Sequence, residues 1–339
     1  MTEKQYGGSK NYGSKGTISS KGDSNIGLVK TTKKNDFDEN EISELIAENI
    51  EKLKKAGAIA RQTINYAKSF IKKDTPLLEI AEKIEAKIIE LGGKPAFPVN
   101  LSINEVAAHS TPSFNDSSLA YGLLKVDLGV HIDGFVADTA FSLDLENNEE
   151  NKNLINAAES ALNEATKVFS LNSKIKTIGA TVENEMKKFG VIPIANLSGH
   201  SIEQYDLHAG VTIPNFDTSQ DISIPEGVYA IEPFSTKGLG SVRDGRPSGI
   251  YHLEKPGNVR DLFAREVLQY IEDEFSTLPF CSRWIYKKFS SRGLLALRRI
   301  EEAGLLHHYA QLIENGKGKV AQAEHTIIIT KNEKIITTL

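Results

Sequence analysis

Five acidic or histidine side chains, far apart in the chain, could together bind metal ions. Two of them, Asp127 and Asp138, flank the dipeptide Asp133-Gly134 in a stretch rich in Val, Ile and Phe. Asp-Gly between such runs predicts a two-residue hairpin turn, because both turn residues need positive φ. Asp127 would then lie opposite Ala140, and Asp138 opposite Gly129. Both carboxylates would therefore project from one face of the hairpin.

The space beside these two carboxylates favours a binding site. Two carboxylates aimed at one point repel each other unless they share a proton or hold a cation. The alternative interpretation is an edge hairpin with solvated acids. Gly129 and the small residues Ala137, Thr139 and Ala140 weaken that alternative, because they leave room for a bound species.

Three further residues could complete the site. Glu232 and Glu324 lie in apolar, β-branched runs, and His200 follows a glycine. Taken singly, each is more typical of an edge, salt-bridged or structural residue. With Asp127 and Asp138 they form a set of four carboxylates and one imidazole, which suits Mn²⁺, Co²⁺, Fe²⁺ or Zn²⁺. Four negative charges are too many for one divalent ion but match the charge of two. Two such ions would lie roughly 3.5–4 Å apart, as in two-metal hydrolytic sites.

Helices and strands alternate around these residues in two blocks, each with its acids on strands. This order predicts two similar α/β halves packed about one site, with a helical stretch inserted late in the chain. A Gly-rich loop is expected at Lys237–Gly249. Apolar periodicity and end signals predict the helices: from about Asp38 toward Ile71, from Asp74-Thr75-Pro76 to Gly92-Gly93, at about Asn153–Phe169 and Ile178–Phe189, and over about Asn258–Gln311.

Composition limits the classes of protein. The chain has 339 residues, of which 40% are hydrophobic and 25% charged, as in ordinary globular proteins of one or two domains. A net charge of −5 gives no general attraction to nucleic acid. The single cysteine, Cys281, excludes a disulfide framework and a cysteine-based zinc site. No run of about 18 apolar residues occurs, so we expect a soluble, cytoplasmic protein without membrane contact.

The first 37 residues differ in composition from the rest. They are rich in Gly, Ser, Lys and Asn, and seven lysines up to Asn35 face only Glu3 and Asp23. Such a segment cannot bury enough apolar surface to offset its ordering entropy, so residues 1–37 are expected to form a disordered tail. The alternative is a basic arm that contacts ribosomal RNA.

Five motifs together resemble methionine aminopeptidase of type 2, in its archaeal and eukaryotic form. The resemblance covers about Glu41–Leu339. It implies the pita-bread fold, an α/β (α+β) architecture with two pseudo-symmetric halves around a dinuclear metal centre, here over residues 38–339. The motifs follow one another in the family's order: FPVNLSINEVAAHSTP, KVDLGVHIDGFVADTAFSL, NLSGHSIEQYDLHAG, VYAIEPF and AQAEHTIII.

The resemblance assigns each candidate ligand a place. Asp127 would chelate one metal ion, while Asp138 and Glu324 would bridge both. His200 and Glu232 would complete the shell of the other ion. Two divalent ions per chain (Co, Mn, Fe or Zn) would then activate a water molecule for attack on the first peptide bond.

Three residues match catalytic positions of the family. Glu232 resembles the proton shuttle that serves the attacking water and the leaving amine. His208 matches the histidine that stabilises the carbonyl oxygen as charge develops. His109 matches the histidine that contacts the scissile amide. The alternative for both histidines is a buried structural imidazole.

An apolar slot for the methionine side chain is also implied. Phe97, Leu207 and Tyr309 match positions that line it, and an aromatic-edged slot suits an unbranched thioether. Tyr309 lies fifteen residues before Glu324, as in the family. The sequence departs from the family at Ile250-Tyr251-His252, where a pocket histidine of some members is replaced or shifted by one.

The late helical stretch, about residues 251–312, matches the insertion that separates type 2 from type 1 enzymes and resembles a winged helix. Its nearly balanced charge argues against DNA binding, so we interpret it as a wall of the substrate cleft. Cys281 and Trp284 within it are interpreted as core residues. The pair His307-His308 is interpreted as surface.

The expected function is removal of the initiator methionine from nascent proteins when the next residue is small. The expected partners are nascent polypeptide N-termini, and the enzyme is expected to be a monomer. One alternative is an X-Pro peptidase (prolidase or aminopeptidase P), which shares the fold and ligands. The other is a non-catalytic, RNA- or ribosome-binding relative that has lost metal ligands, which the presence of all five candidates opposes.

Overall fold

The structure, a computed structural model, describes residues 39–339, with side chains from residue 43 onward. The expected tail at residues 1–37 and the boundary at residue 38 lie outside this range. The described helices are α1 Glu39–Phe70, α2 Leu77–Glu90, α3 Glu149–Val168, α4 Ile175–Lys188, α5 Leu262–Phe275 and α6 Ser282–Glu302. The first eight strands are β1 Lys94–Pro95, β2 Asn100–Ile103, β3 Val106–Ala108, β4 Leu123–Ile132, β5 Phe135–Asp144, β6 Ile192–Pro193, β7 Ser198–Ile202 and β8 Thr212–Pro214. The others are β9 Gly227–Ile231, β10 Phe234–Thr236, β11 Val242–Leu253, β12 Phe280–Cys281, β13 Leu306–Glu314, β14 Val320–Gln322, β15 His325–Ile329 and β16 Lys334–Ile336.

The β4–β5 hairpin has the predicted turn and register. Asp133 and Gly134 both adopt positive φ, 51° and 84°, as a two-residue turn of this kind requires. Asp127 pairs with Ala140, and Gly129 pairs with Asp138. The structure therefore confirms that the two aspartates share one face of the sheet.

The first half of the molecule packs α1 and α2 against this hairpin. Strands β1 and β2 pair with β4 to complete a four-stranded sheet. The predicted starting signal of α2 was only partly right. Asp74 takes a positive φ of 66°, and α2 begins at Leu77 after Pro76, without a side-chain cap. The shared core is apolar and includes Ile80, Ile84, Leu101, Val126 and Phe141.

The second half likewise packs two helices against β-strands, here arranged in two sheets. A five-stranded sheet runs in the order β16-β15-β9-β7-β8, and a three-stranded sheet in the order β14-β10-β6. Helices α3 and α4 pack on them around a separate core that includes Leu154, Ile178, Met186, Tyr229 and Ile327. This arrangement confirms two α/β halves.

The late insertion contains strands as well as helices, so the prediction of helix over about residues 258–311 was partly wrong. Helices α5 and α6 lie between β11 and β13, which pair antiparallel. The expected loop at Lys237–Gly249 also contains the start of β11. The Gly and Pro residues of this segment are typical of loops. The pairing of β11 with β13 nevertheless accommodates them through register shifts around Pro247.

The interpretations of the insertion's unusual residues mostly hold. Cys281 is fully buried, and Trp284 packs in part against the insertion's core. His307 is exposed. His308 is half-buried, where its ring stacks on Tyr251 at 4.0 Å between centroids.

Across residues 39–339, no helix combines the length and apolarity that crossing a bilayer would require.

Candidate metal centre

All five candidate ligands line one cavity of about 620 Å³ between the two halves. Asp127 lies on β4 and Asp138 on β5, both from the first half. His200 lies on β7, Glu232 directly follows β9, and Glu324 directly precedes β15. Because β9 pairs with both β7 and β15, the second half supplies three of the candidate ligands from adjacent strands.

Hydrogen bonds join the hairpin to β15 at the ligands themselves. The amide of Asp138 donates to the hydroxyl of Thr326 at 2.7 Å, and this hydroxyl lies 2.7 Å from the Asp138 carbonyl, to which it donates. The amide of Glu324 donates to the carbonyl of Ala140 at 3.0 Å. The hydroxyl of Thr139 donates to the Glu324 carbonyl at 2.9 Å. The seam between the halves therefore fixes the backbones of two ligands relative to each other.

The ligand atoms converge. Nε2 of His200 lies 3.5 Å from Oε1 of Glu232 and 3.9 Å from Oδ2 of Asp138. One ligand atom each from Asp138, His200 and Glu324 lie within 4.8 Å of one another. An ion placed among them would contact all three.

The electrostatics of the cavity favour a bound cation. Burial raises the pKa of Asp127 to about 7. Burial, followed by the charges of neighbouring carboxylates, raises the pKa values of Asp138, Glu232 and Glu324 well above their usual range. Burial lowers the pKa of His200 well below its usual value, so its imidazole is neutral and can act as a ligand.

Several buried ligand oxygens have no hydrogen-bond partner in the described part of the protein. They are Oδ1 of Asp127, Oδ1 of Asp138 and Oε2 of Glu324. Buried oxygens without donors are costly unless a cation or proton satisfies them. The four carboxylates and one imidazole thus fit divalent metal binding.

Sequence reasoning missed one polar neighbour of this site, Gln322. Its side chain is buried, and its Nε2 donates to Oδ2 of Asp127 at 3.4 Å and to Oε2 of Glu232 at 3.3 Å. A spacing of two from Glu324 could have indicated it, since alternate residues of an extended segment share a face.

The five residues expected to contact substrate line the same cavity. These residues are Phe97, His109, Leu207, His208 and Tyr309. The ring of His109 lies 5.2 Å from that of Tyr309, and the ring of His208 lies 4.5 Å from that of His200, both edge-on. Burial, with the charges of neighbouring imidazoles, lowers the pKa of His109 to about 4, so this ring is neutral at pH 7.

At the departure from the family pattern, Ile250 lines the cavity. His252 instead contacts the rings of His307 and Tyr309 at 5.1 and 5.3 Å. An aliphatic side chain therefore occupies this part of the wall.

The amino-acid sequence matches a known family of metallopeptidases. The profile of metallopeptidase family M24 matches residues 51–331. A methionine aminopeptidase of Pyrococcus abyssi is 46% identical over 295 residues, which cover 86% of this chain and 99% of the relative.

Solved structures share the fold. A thermophilic Arx1 superposes with a TM-score of 0.72 at 16% identity, covering 86% of this chain and 90% of the other. A methionine aminopeptidase from Rickettsia prowazekii gives 0.62 at 19% identity, with 86% and 98% covered. Together with the two α/β halves, these matches confirm the pita-bread fold. The chain belongs to metallopeptidase family M24 and, within it, to the methionine aminopeptidases.

Proposed function

We propose that this protein is a metal-dependent aminopeptidase that removes N-terminal methionine from nascent proteins when the next residue is small. One observation carries the proposal. Four carboxylates and one neutral imidazole share a cavity with apolar and aromatic side chains, in a chain 46% identical to a methionine aminopeptidase.

The slot supports methionine as the side chain removed. The candidate slot residues Phe97, Leu207 and Tyr309 line the cavity, and Ile250 adds an aliphatic surface to the same wall. Apolar and aromatic side chains of this kind suit an unbranched, polarizable thioether.

Two divalent ions, of Co, Mn, Fe or Zn, are proposed as the cofactors. Asp127 would hold one ion, His200 and Glu232 the other, and Asp138 and Glu324 both. Four carboxylates in one cavity support two ions, because a single ion would leave excess negative charge buried. When bound, such ions lower the pKa of a water molecule and polarise the peptide carbonyl.

The chain's own residues would then handle protons and charge. Glu232 is suited to carry a proton between water and the leaving amine, because burial and nearby aspartates raise the pKa of its carboxyl group. His208 would donate to the carbonyl oxygen as negative charge develops. His109, neutral at pH 7, would contact the scissile amide.

The late insertion supports assignment to type 2. Helices α5 and α6 lie between β11 and β13, near the boundaries expected for that insertion, and Tyr309 reaches the cavity from β13. We also propose a cytoplasmic monomer that acts on nascent N-termini. Contact of the basic residues 1–37 with ribosomal RNA remains a prediction.

Metal-dependent turnover of two peptides tests the function. The purified protein would be reconstituted with each divalent ion and given Met-Ala-Ser or Ala-Pro-Ala. Release of methionine from the first, abolished by a chelator and by Glu324→Ala, supports the proposal. Preferential cleavage of the second would favour the X-Pro alternative. Absence of turnover with every ion would favour the non-catalytic alternative.

A further inference from the structure

A fully buried arginine joins the insertion to the first half of the molecule. Arg283, near the start of α6, is bidentate to Glu85 of α2, with both Nη–Oε distances at 2.7 Å. Trp284 donates its indole N–H to Oε2 of the same carboxylate at 2.9 Å. Paired donors and acceptors of this kind fix orientation as well as position.

The same guanidinium also contacts the segment directly after His109. Its Nε donates to the carbonyl of Pro112 at 3.0 Å, and Nη2 lies 3.4 Å from the hydroxyl of Thr111, to which it donates. The Thr111 hydroxyl in turn donates to the carbonyl of Val99 at 2.9 Å. Arg283 thus reaches a candidate catalytic loop that lies far from it in sequence.

His109 needs such support because of its backbone. It adopts a φ of 57°, in the left-handed region that residues other than glycine seldom occupy. Conformations of this kind persist only where the surroundings impose them. The next residue, Ser110, accepts a hydrogen bond from the amide of Leu101 at 2.6 Å and one from Gln311 to its hydroxyl at 3.2 Å. Arg283 holds the following two residues.

We propose that Arg283, oriented by Glu85, is a positioning residue that holds the imidazole of His109 in its working place. This inference rests on the proposed function. It makes the insertion a support for the catalytic loop in addition to a wall of the cleft.

A second ion pair links α6 to α2, so the attachment of these two helices can be tested separately from the contacts of Arg283 with Thr111 and Pro112. Lys287 of α6 pairs with Glu82 of α2 at 2.8 Å, on partly exposed surface, and links the same two helices. It supplies a matched control, because Lys287→Met breaks an α6–α2 ion pair without removing a described contact to residues 109–112.

Kinetics of three variants test the proposal. Arg283→Lys keeps the charge but loses the bidentate fork and the contact to Pro112. We expect it to lower kcat on Met-Ala-Ser by about 10- to 100-fold with little change in KM, since misplacement of about 1 Å can cost 100-fold. Thr111→Val, which leaves the Arg283–Glu85 pair intact, should lower kcat in the same way but less. Lys287→Met should stay within about twofold of the unmodified protein.

A double-mutant cycle with His109→Ala separates positioning from general destabilisation. If Arg283 and Thr111 act through His109, their substitutions should have little further effect once that ring is absent. The His109 imidazole resonance, assigned with His109→Ala, should shift or broaden in Arg283→Lys and Thr111→Val and stay unchanged in Lys287→Met.

Unchanged kcat and an unmoved resonance in Thr111→Val and in folded Arg283→Lys would overturn the proposal. Losses that multiply with that of His109→Ala would do so as well. If Arg283→Lys does not fold, the cycle with Thr111→Val decides. Lack of turnover by the unmodified protein would refute the proposed function instead, and the resonance would still report whether Arg283 positions the ring.

Discussion

Asp138 lies directly opposite Gly129 in the β4–β5 hairpin, and the missing side chain of Gly129 is replaced by the ring of Phe97. A Cβ built on Gly129 would lie 2.4 Å from Cε1 of Phe97. The pair Asp138–Gly129 therefore places a candidate metal ligand beside Phe97, a candidate wall residue of the methionine slot.

Gly129→Ala should disturb the slot because the added methyl group displaces Phe97. We expect a loss of about 1–3 kcal/mol in the free energy of unfolding, typical of overpacking, and a lower kcat/KM on Met-Ala-Ser. Urea unfolding and peptide kinetics would measure both. Adding Phe97→Leu should restore part of the stability. Wild-type values in Gly129→Ala alone would contradict this account of the glycine.

Asp138→Asn should remove metal ions and activity together. The amide is nearly isosteric but carries no charge, and Asp138 lies near both His200 and Glu324. We expect a loss of at least about 100-fold in kcat/KM, since weaker perturbations around metal ligands already cost 10- to 100-fold. Metal analysis and Met-Ala-Ser turnover would check it. Asp133→Asn, at the tip of the same hairpin, should leave both unchanged; retained metal and rate in Asp138→Asn would refute the ligand role.

His208→Ala should slow turnover without releasing metal. If His208 donates to the developing oxyanion, kcat should fall by roughly 100- to 1,000-fold. Metal content measured by plasma emission should stay at the wild-type level, because His200 and the carboxylates remain. A large loss of bound metal in this variant would show that His208 serves the metal shell instead.

The metal-free protein should become less stable as pH rises. The folded pKa of Asp127, about 7, exceeds its ordinary value of 3.8, because burial disfavours the charged form. Its stabilising contribution is therefore fully present below about pH 4 and is lost as pH rises through about 7. Melting temperatures in chelator from pH 5 to 8 would measure this loss.

Asp127→Asn isolates that contribution, because several buried histidines titrate in the opposite sense. The difference in stability between metal-free wild type and Asp127→Asn should grow with pH, and a divalent ion should abolish the wild-type loss. A pH-independent difference would contradict the linkage.

The hairpin was predictable because its signal is local. Asp133-Gly134 between apolar runs fixes the turn, and the two-residue period then fixes the faces of Asp127 and Asp138. His200, Glu232 and Glu324 were indicated by their local context and by the chemistry of the combined set, and the family motifs then assigned each its place, since no local pattern joins residues in different halves.

The strands of the insertion and the contacts that support the site were harder to predict from the sequence. The strand β11 was hidden by its glycines and Pro247, which bulges accommodate. The sequence around Arg283 and around Gln322 shows no unusual local pattern, and the partners of both residues lie far away in the chain. Such partners emerge only once tertiary packing is known.

The first and last candidate ligands, Asp127 and Glu324, belong to halves that each have a large apolar core. Ions held between them would act as a clasp whose strength rises with the free ion concentration. Chains deprived of divalent cations would keep both cores, and hydrogen bonds such as those of Asp138 with Thr326, together with a buried apolar cluster shared by the two halves, would hold them closed. Metal supply would then add to the time each molecule survives proteolysis, as well as set how fast it works.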